Sequence, residues 1–270
     1  MVSFPPCKIN LGLRVLDKRS DGYHNLETCF YPVPWTDILE VIKSDTFSFT
    51  TSGAPIPGDL ADNLCVHAYR LLETDIGVEP VRIHLHKIIP AGAGLGGGSS
   101  DAAHTLRLLN KVCQLGLSRN DLIDYAAQLG SDCAFFVDDV PMIGTGRGEI
   151  LSPISLPSIP EFLILVNPGI HVSTAEAFTG IRSDASAPSV TECLTGAPAS
   201  WKHALKNDFE ETVFMKYPSI EIIKEKLYAL GATYASMSGS GSTVYGFFDE
   251  QPVLDDSFET GTVWCSWHKR

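Results

Sequence analysis

The chain has 270 residues, 44% hydrophobic and 19% charged, with a formal net charge of −12; it can bury a core as one large domain or, the preferred reading, two closely joined lobes. The balance excludes a disordered chain, and no apolar run is long enough to span a bilayer. The negative charge opposes nucleic-acid backbones and anionic membranes, so neither is expected as a partner, and a nucleotide would need backbone N–H dipoles, a few lysines and a divalent cation to overcome it.

In chain order, residues 1–8 lack the apolar core of a signal peptide and the character of a transit peptide. The cysteines, at 7, 29, 65, 113, 133, 193 and 265, form no Cys-x-x-Cys pair, which suits a reducing compartment, so a cytoplasmic protein is expected. A strand follows, with Ile9, Leu11, Leu13 and Val15 on one face and Lys8 and Asn10 on the other, where a solvated face is the plain reading. Asp21-Gly22 signals a turn before Tyr23 and His24. Asp62-Asn63 precedes the amphipathic pattern Leu64, Ala68, Leu71, Leu72, a helix. Val81, Ile83 and Leu85 alternate with Arg82, His84 and His86, a half-buried strand. A helix is predicted after the glycines that follow, from Ala102, Ala103, Leu106 and Leu109, with Ser99 or Ser100 as N-cap and Asp101 in its first turn. Ser118 to Asp121 resembles a capping box opening a further helix over 122–129.

The Pro/Ser-rich stretch 151–160 reads as a linker, dividing the chain into lobes of residues 1–155 and 156–270. Residues 162–166 look like a buried strand, and 183–198, without periodicity, like a loop. Pro218 opens a helix with Ile220, Ile223, Leu227 and Leu230 on one stripe and Gly231 after it. The loop 238–242 and a strand over 243–248 complete the pattern.

Chemistry concentrates at residues 90–100: Pro90, Ala91, Gly92, Ala93, Gly94, Leu95, Gly96, Gly97, Gly98, Ser99, Ser100. The glycines allow positive φ and close approach to a ligand. Set before a helix N-terminus with two hydroxyls, they suit a phosphate group. Gly92-x-Gly94-x-x-Gly97 formally fits a dinucleotide fingerprint, but no acidic residue closes a strand about 20 residues on, as a ribose partner requires. A Walker A loop is excluded because no lysine stands between Lys87 and Lys111. A mere tight turn would not need five glycines. His84-x-His86 could hint at a metal pair, but without a further ligand a solvated face is the better reading. No carboxylate is assigned as a metal ligand.

Pro90-x-x-x-Gly94-Leu95-Gly96-x-x-x-Ser100 resembles the central motif of the GHMP kinase superfamily, which includes galactokinase, homoserine kinase, mevalonate kinase and phosphomevalonate kinase. Residues 6–13 (Pro-Cys-Lys-Ile-Asn-Leu-Gly-Leu), Lys18-Arg19-x-Asp21-Gly22-Tyr23-His24, Asp62-Asn63-Leu64, 129–136, Asn167-Pro168-Gly169 and 238–241 extend the similarity. In that order they resemble the branch acting on a cytidine-diphosphate-linked polyol. The resemblance implies an α+β, two-lobed fold, with an N-terminal lobe like ribosomal S5 domain 2 and a C-terminal ferredoxin-like lobe. It implies phosphorylation of the 2-hydroxyl of a cytidine diphospho-methylerythritol, in the non-mevalonate route to isoprenoid precursors. ATP would be the co-substrate and Mg²⁺ would come with it; a monomer or weak homodimer is expected.

By the same resemblance, Asp132 is the catalytic base and Lys8 lies beside it to orient the carboxylate and lower the hydroxyl's pKa. ATP falls to residues 90–100, with Asn63 and Lys87 near the nucleoside. The substrate falls to Asn10 for hydroxyls, His24 for the polar edge of cytosine, and Tyr23 and Phe178 for its two faces. Thr174 is either an N-cap or a substrate contact, and Ser238 and Gly239 line the site from the second lobe. Taken alone, Asp132 could cap a turn, Lys87 could be an exposed strand end, Phe178 could be core, and 238–242 could be a plain hairpin. Cys7 stands where the family more often has alanine, and is expected to add sensitivity to thiol reagents.

Overall fold

A computed structural model of the chain describes residues 1–181, 187–254, 258 and 261–267. Two compact units are interleaved along the sequence. The first holds Met1–Lys8, Pro32–Ala91 and Gly96–Val140; the second holds Ile9–Tyr31, Gly92–Leu95 and the described part of Pro141–Arg270.

The strands are β1 (Val2–Ser3), β2 (Pro6–Lys18), β3 (His24–Thr36), β4 (Ile38–Lys43), β5 (Ser48–Gly53), β6 (Val81–Lys87), β7 (Met142–Gly146), β8 (Ile150–Pro153), β9 (Phe162–Asn167), β10 (Tyr234–Met237), β11 (Val244–Phe248) and β12 (Thr262–Trp267). The helices are α1 (Leu64–Ile76), α2 (Gly97–Val112), α3 (Arg119–Leu129), α4 (Thr174–Ala177), α5 (Val190–Leu194), α6 (Pro198–Ala204), α7 (Phe209–Lys216) and α8 (Pro218–Ala229).

In the first unit, the sheet runs β1-β4-β6-β5, with β5 parallel to β6 and the other pairs antiparallel. The apolar face of β6 is as its alternation predicts: Val81, Ile83 and Leu85 are fully buried, each worth about 1.5–3 kcal/mol against exposure. On α2, Ala102, Ala103, Leu106 and Leu109 are likewise buried. Asn63 caps α1 by accepting from the Cys65 N–H at 2.9 Å. Ser118 and Asp121 close the predicted capping box of α3.

In the second unit, β10-β11-β9-β12 is an antiparallel sheet. Its core gathers Ile164, Val166 and Val244 with Val213 from α7 and Ile220 and Leu227 from α8. Pro218 occupies the first turn of α8, where its missing N–H costs nothing. The third sheet, β2-β3-β7-β8, is built on the two long strands.

Three expectations change. α2 starts at Gly97, with Gly96 as a left-handed N-cap and no side-chain cap, so Ser99 and Ser100 lie inside the helix and Asp101 beyond its first turn. Glycine's poor helix propensity hid those first residues. The stretch 151–160 contributes to β8 before it becomes irregular. Within 183–198, Ser189 and Glu192 form a capping box that opens α5, while 183–186 lie outside the described residues.

Candidate functional site

Lys8 sits near the start of β2 and is only 4% exposed, because β2 is buried on both faces. Its ammonium stands 3.4 Å from Oδ2 of Asp132, whose side chain is 31% exposed. That separation exceeds the roughly 2.7–2.9 Å of a charge-assisted hydrogen bond, so the carboxylate is neighboured by a cation while its oxygens stay within reach of solvent. Asp132 follows Gly130, which ends α3, and precedes a 3-10 turn of the buried residues Ala134, Phe135, Phe136 and Val137. This apolar backing fixes the turn that carries the carboxylate.

Gly96 joins this pair to the glycine-rich loop. A Cβ there would lie 3.1 Å from both Lys8 Cε and the Phe136 ring, and φ is +67°. Only glycine fits without displacing the lysine or straining the backbone. With no side chain capping α2, the first-turn N–H groups and the positive end of the helix dipole are left for an anion. The Ser100 hydroxyl is buried there without a hydrogen-bond partner. The first unit thus brings an ammonium, an accessible carboxylate and a helix N-terminus to one place, which are parts for phosphoryl transfer.

Within the second unit, residues 92–95 are held by the loop that joins β10 to β11. Ser238 Oγ donates to the Gly94 carbonyl at 2.8 Å, and the Thr243 N–H to the Ala93 carbonyl at 3.3 Å. A Cβ on Gly94 would lie 2.1 Å from the Ser238 carbonyl oxygen. The β10–β11 connection is therefore a hairpin that also packs against the loop tip. Gly239 is part of it, its carbonyl accepting from Asn207 Nδ2 at 2.8 Å.

Asn10 is 2% exposed, and its side-chain amide donates to Thr28 Oγ1 at 2.9 Å. Its backbone N–H donates to Ser238 Oγ at 3.2 Å. Tyr23 is exposed. Phe178 stacks on His24, with ring centres 5.0 Å apart and planes 14° apart, and meets Phe209 edge-to-face with centres 4.8 Å apart. Phe178 thus stacks on His24, the residue that follows the exposed Tyr23 expected to take the opposite face of the base. Thr174 is the first residue of α4, and Ser173 is the cap, accepting from the Glu176 N–H at 3.2 Å. That removes the capping role from Thr174 and leaves its hydroxyl 3.5 Å from Ser240 Oγ.

The two residues expected near the nucleoside have other duties in the structure. Asn63 caps α1. Lys87 is 3% exposed, so it is not an exposed strand end. Its ammonium donates to Asp37 Oδ2 at 2.5 Å and to Asp101 Oδ2 at 2.7 Å. Asp37 Oδ1 also accepts from the N–H groups of Ile88 at 2.5 Å and Ile89 at 2.9 Å. Burial opposes the Lys87 charge, but the two carboxylates outweigh it and raise its proton affinity. Burial also pushes the Asp101 carboxyl up to about 7, against the pull of Lys87. Sequence reasoning missed Asp37 and this role of Asp101, although position 87 shares the inward parity of 81, 83 and 85. Cys7 is fully buried, and burial pushes its thiol well up, so the expected thiol sensitivity is overturned: the thiolate is disfavoured and reagents have no access. His84 and His86 bond to Thr50 and Ser52. Among the described residues, no group of three or more His, Cys, Asp or Glu could hold a metal ion, and no helix is long and apolar enough to cross a membrane.

Family models match the chain as "GHMP kinases N terminal domain" over residues 63–147 and "GHMP kinases C terminal" over 189–255. A 4-diphosphocytidyl-2-C-methyl-D-erythritol kinase of Cytophaga hutchinsonii is 50% identical over 93% of this chain and 94% of its own. One of Bacteroides thetaiotaomicron is 48% identical over 98% of each. A crystal structure of 4-(cytidine 5'-diphospho)-2C-methyl-D-erythritol kinase superposes with a TM-score of 0.81 at 32% identity, covering 98% of both chains. The two-lobed α+β arrangement is that of the GHMP kinases, and the chain belongs to the 4-diphosphocytidyl-2-C-methyl-D-erythritol kinase family.

Proposed function

We propose that this kinase transfers the γ-phosphoryl group of ATP to the 2-hydroxyl of 4-diphosphocytidyl-2-C-methyl-D-erythritol, in the non-mevalonate route to isoprenoid precursors, with Asp132 as base. The observation that carries the assignment of roles is the Lys8–Asp132 pair beside the uncapped start of α2. Asp132 accepts the hydroxyl proton as the oxygen forms its bond to the γ-phosphorus. The bond from that phosphorus to the β–γ bridging oxygen breaks, and ADP leaves with the electron pair. Lys8 offsets negative charge next to the reacting oxygen, and residues 90–100 hold the phosphates. Tyr23, His24, Phe178 and Thr174 hold the cytidine-bearing substrate, while Asn10, Ser238 and Gly239 support it.

Mg²⁺, when bound with ATP, would offset charge on the phosphate oxygens. The unpartnered Ser100 hydroxyl is a hard oxygen that fits such an ion, with the nucleotide and water supplying the remaining ligands. Asn63 and Lys87 support the ATP site from beneath through the cap of α1 and the Asp37–Lys87–Asp101 cluster. We assign the boundary between N- and C-terminal kinase lobes to residue 155; that it falls between the segments matched by the two family models, 63–147 and 189–255, supports the reading. The enzyme is expected to work in the cytoplasm on small molecules, as a monomer or weak homodimer, without a nucleic-acid or membrane partner.

The test is ADP release with Mg-ATP and the cytidine-linked substrate, set against homoserine and mevalonate and repeated with Asp132→Asn. Turnover of the cytidine compound alone, lost in the variant, supports both substrate and base. Turnover of homoserine or mevalonate instead would move the chain to another branch of the superfamily.

A further inference from the structure

The hairpin between β7 and β8 turns through Gly146, Arg147 and Gly148, with φ of +69° at Gly146 and +108° at Gly148, which glycine adopts at little cost. β7 lies beside β3 with Gly146 opposite Leu26, close to His24, where β3 begins. That register brings Arg147 to Tyr23, the guanidinium carbon standing 5.2 Å from the ring centre. Glu149 accepts from the Arg147 backbone N–H at 2.5 Å, but its carboxylate stands 3.6 Å from Arg147 Nε. This is a loose ion pair beside the roughly 2.7–2.9 Å of a charge-assisted hydrogen bond. The neighbouring Arg19, by contrast, donates to Asp21 at 3.0 Å and to Asn25 at 3.1 Å. Arg147 is thus placed by the hairpin and the tyrosine ring, and a guanidinium over a ring still directs its N–H donors outward in its own plane.

We infer that Arg147 is a further substrate-recognition residue, which binds the charged diphosphate oxygens of the cytidine nucleotide; this rests on the assignment of Tyr23 and His24 to the pyrimidine. A chain with a net charge of −12 repels a diphosphate at long range, so a cation fixed beside the base contact gives the anion a local partner. The planar fork matches two phosphate oxygens, which an ammonium does not.

Steady-state kinetics of the full chain with Arg147→Met, Arg147→Lys and Tyr23→Ala, and competition by cytidine, CMP and CDP, test this. Arg147→Met is expected to raise KM for the cytidine-linked substrate about tenfold, leaving KM for ATP and the melting temperature unchanged. Arg147→Lys recovers part of the loss. CDP inhibition weakens about tenfold while cytidine inhibition is unchanged. Unchanged CDP inhibition in Arg147→Met, or an equal loss for cytidine and CDP, overturns the inference. If Tyr23→Ala leaves KM for the substrate unchanged, the pyrimidine assignment falls and Arg147 with it; if Tyr23→Ala raises KM and Arg147→Met does not, Arg147 alone is wrong.

Discussion

Lys8, Lys87 and Asp132 show how differently a charged side chain can be used. Asp132 is part-exposed next to a cation, so Asp132→Asn removes a proton acceptor without opening a cavity. It is expected to lower kcat by about 10²–10⁴-fold, the usual range for general base catalysis, while the melting temperature holds; full activity in the variant would exclude the base role. Lys87→Met acts in the opposite sense. It leaves two carboxylates, on Asp37 and Asp101, buried without their cation, and removing one partner from such a cluster costs about 3–5 kcal/mol. Urea unfolding should show that loss, with little change if the ammonium instead faces solvent and nucleotide. The inward parity of Lys87 was legible in the alternation of β6. The partners were not, because Asp37 and Asp101 are 50 and 14 residues away and only the fold brings them together. For Lys8 the alternation misled: β2 is buried on both faces, so the side opposite Ile9 and Leu11 is interior as well.

Elements with punctuation at both ends were legible in the sequence: α1 behind Asn63, α3 behind its capping box and α8 between Pro218 and Gly231. The start of α2 was not, since its first residues are glycines, and the proposed phosphate site lies there. Gly94 and Ser118 separate the two kinds of element. At Gly94, φ is +78° and a Cβ would press on a backbone oxygen at 2.1 Å, so Gly94→Ala must displace the loop tip or the β10–β11 hairpin. We expect an increase of at least tenfold in KM for ATP, together with a lower melting temperature. Ser118→Ala removes only the cap of α3 and should cost about 1 kcal/mol with KM for ATP unchanged. Equal effects on ATP binding would mean that the loop responds to general destabilisation rather than to its own shape.

For the whole molecule, the buried cluster under α2 ties folding to pH. The cluster has two carboxylates and one ammonium, and Cys65, whose thiol burial pushes up, lies within its field. Burial raises the Asp101 carboxyl from 3.8 to about 7 on folding. Between those values the folded chain holds a proton that the unfolded chain has released, so stability falls as pH rises. The contribution is complete below the unfolded value and lost once pH has passed through 7. The overall charge of −12 also weakens the compact state as carboxylates ionise, but that term is shared with Asp101→Asn, which lacks the titrating group. Urea midpoints at pH 5, 6, 7 and 8 should therefore fall more steeply for the natural chain than for Asp101→Asn. Parallel curves would mean that Asp101 stays ionised across this range, with Lys87 balancing two full negative charges, and the helix that begins at Gly97 would then rest on a net negative cluster instead of a neutral one.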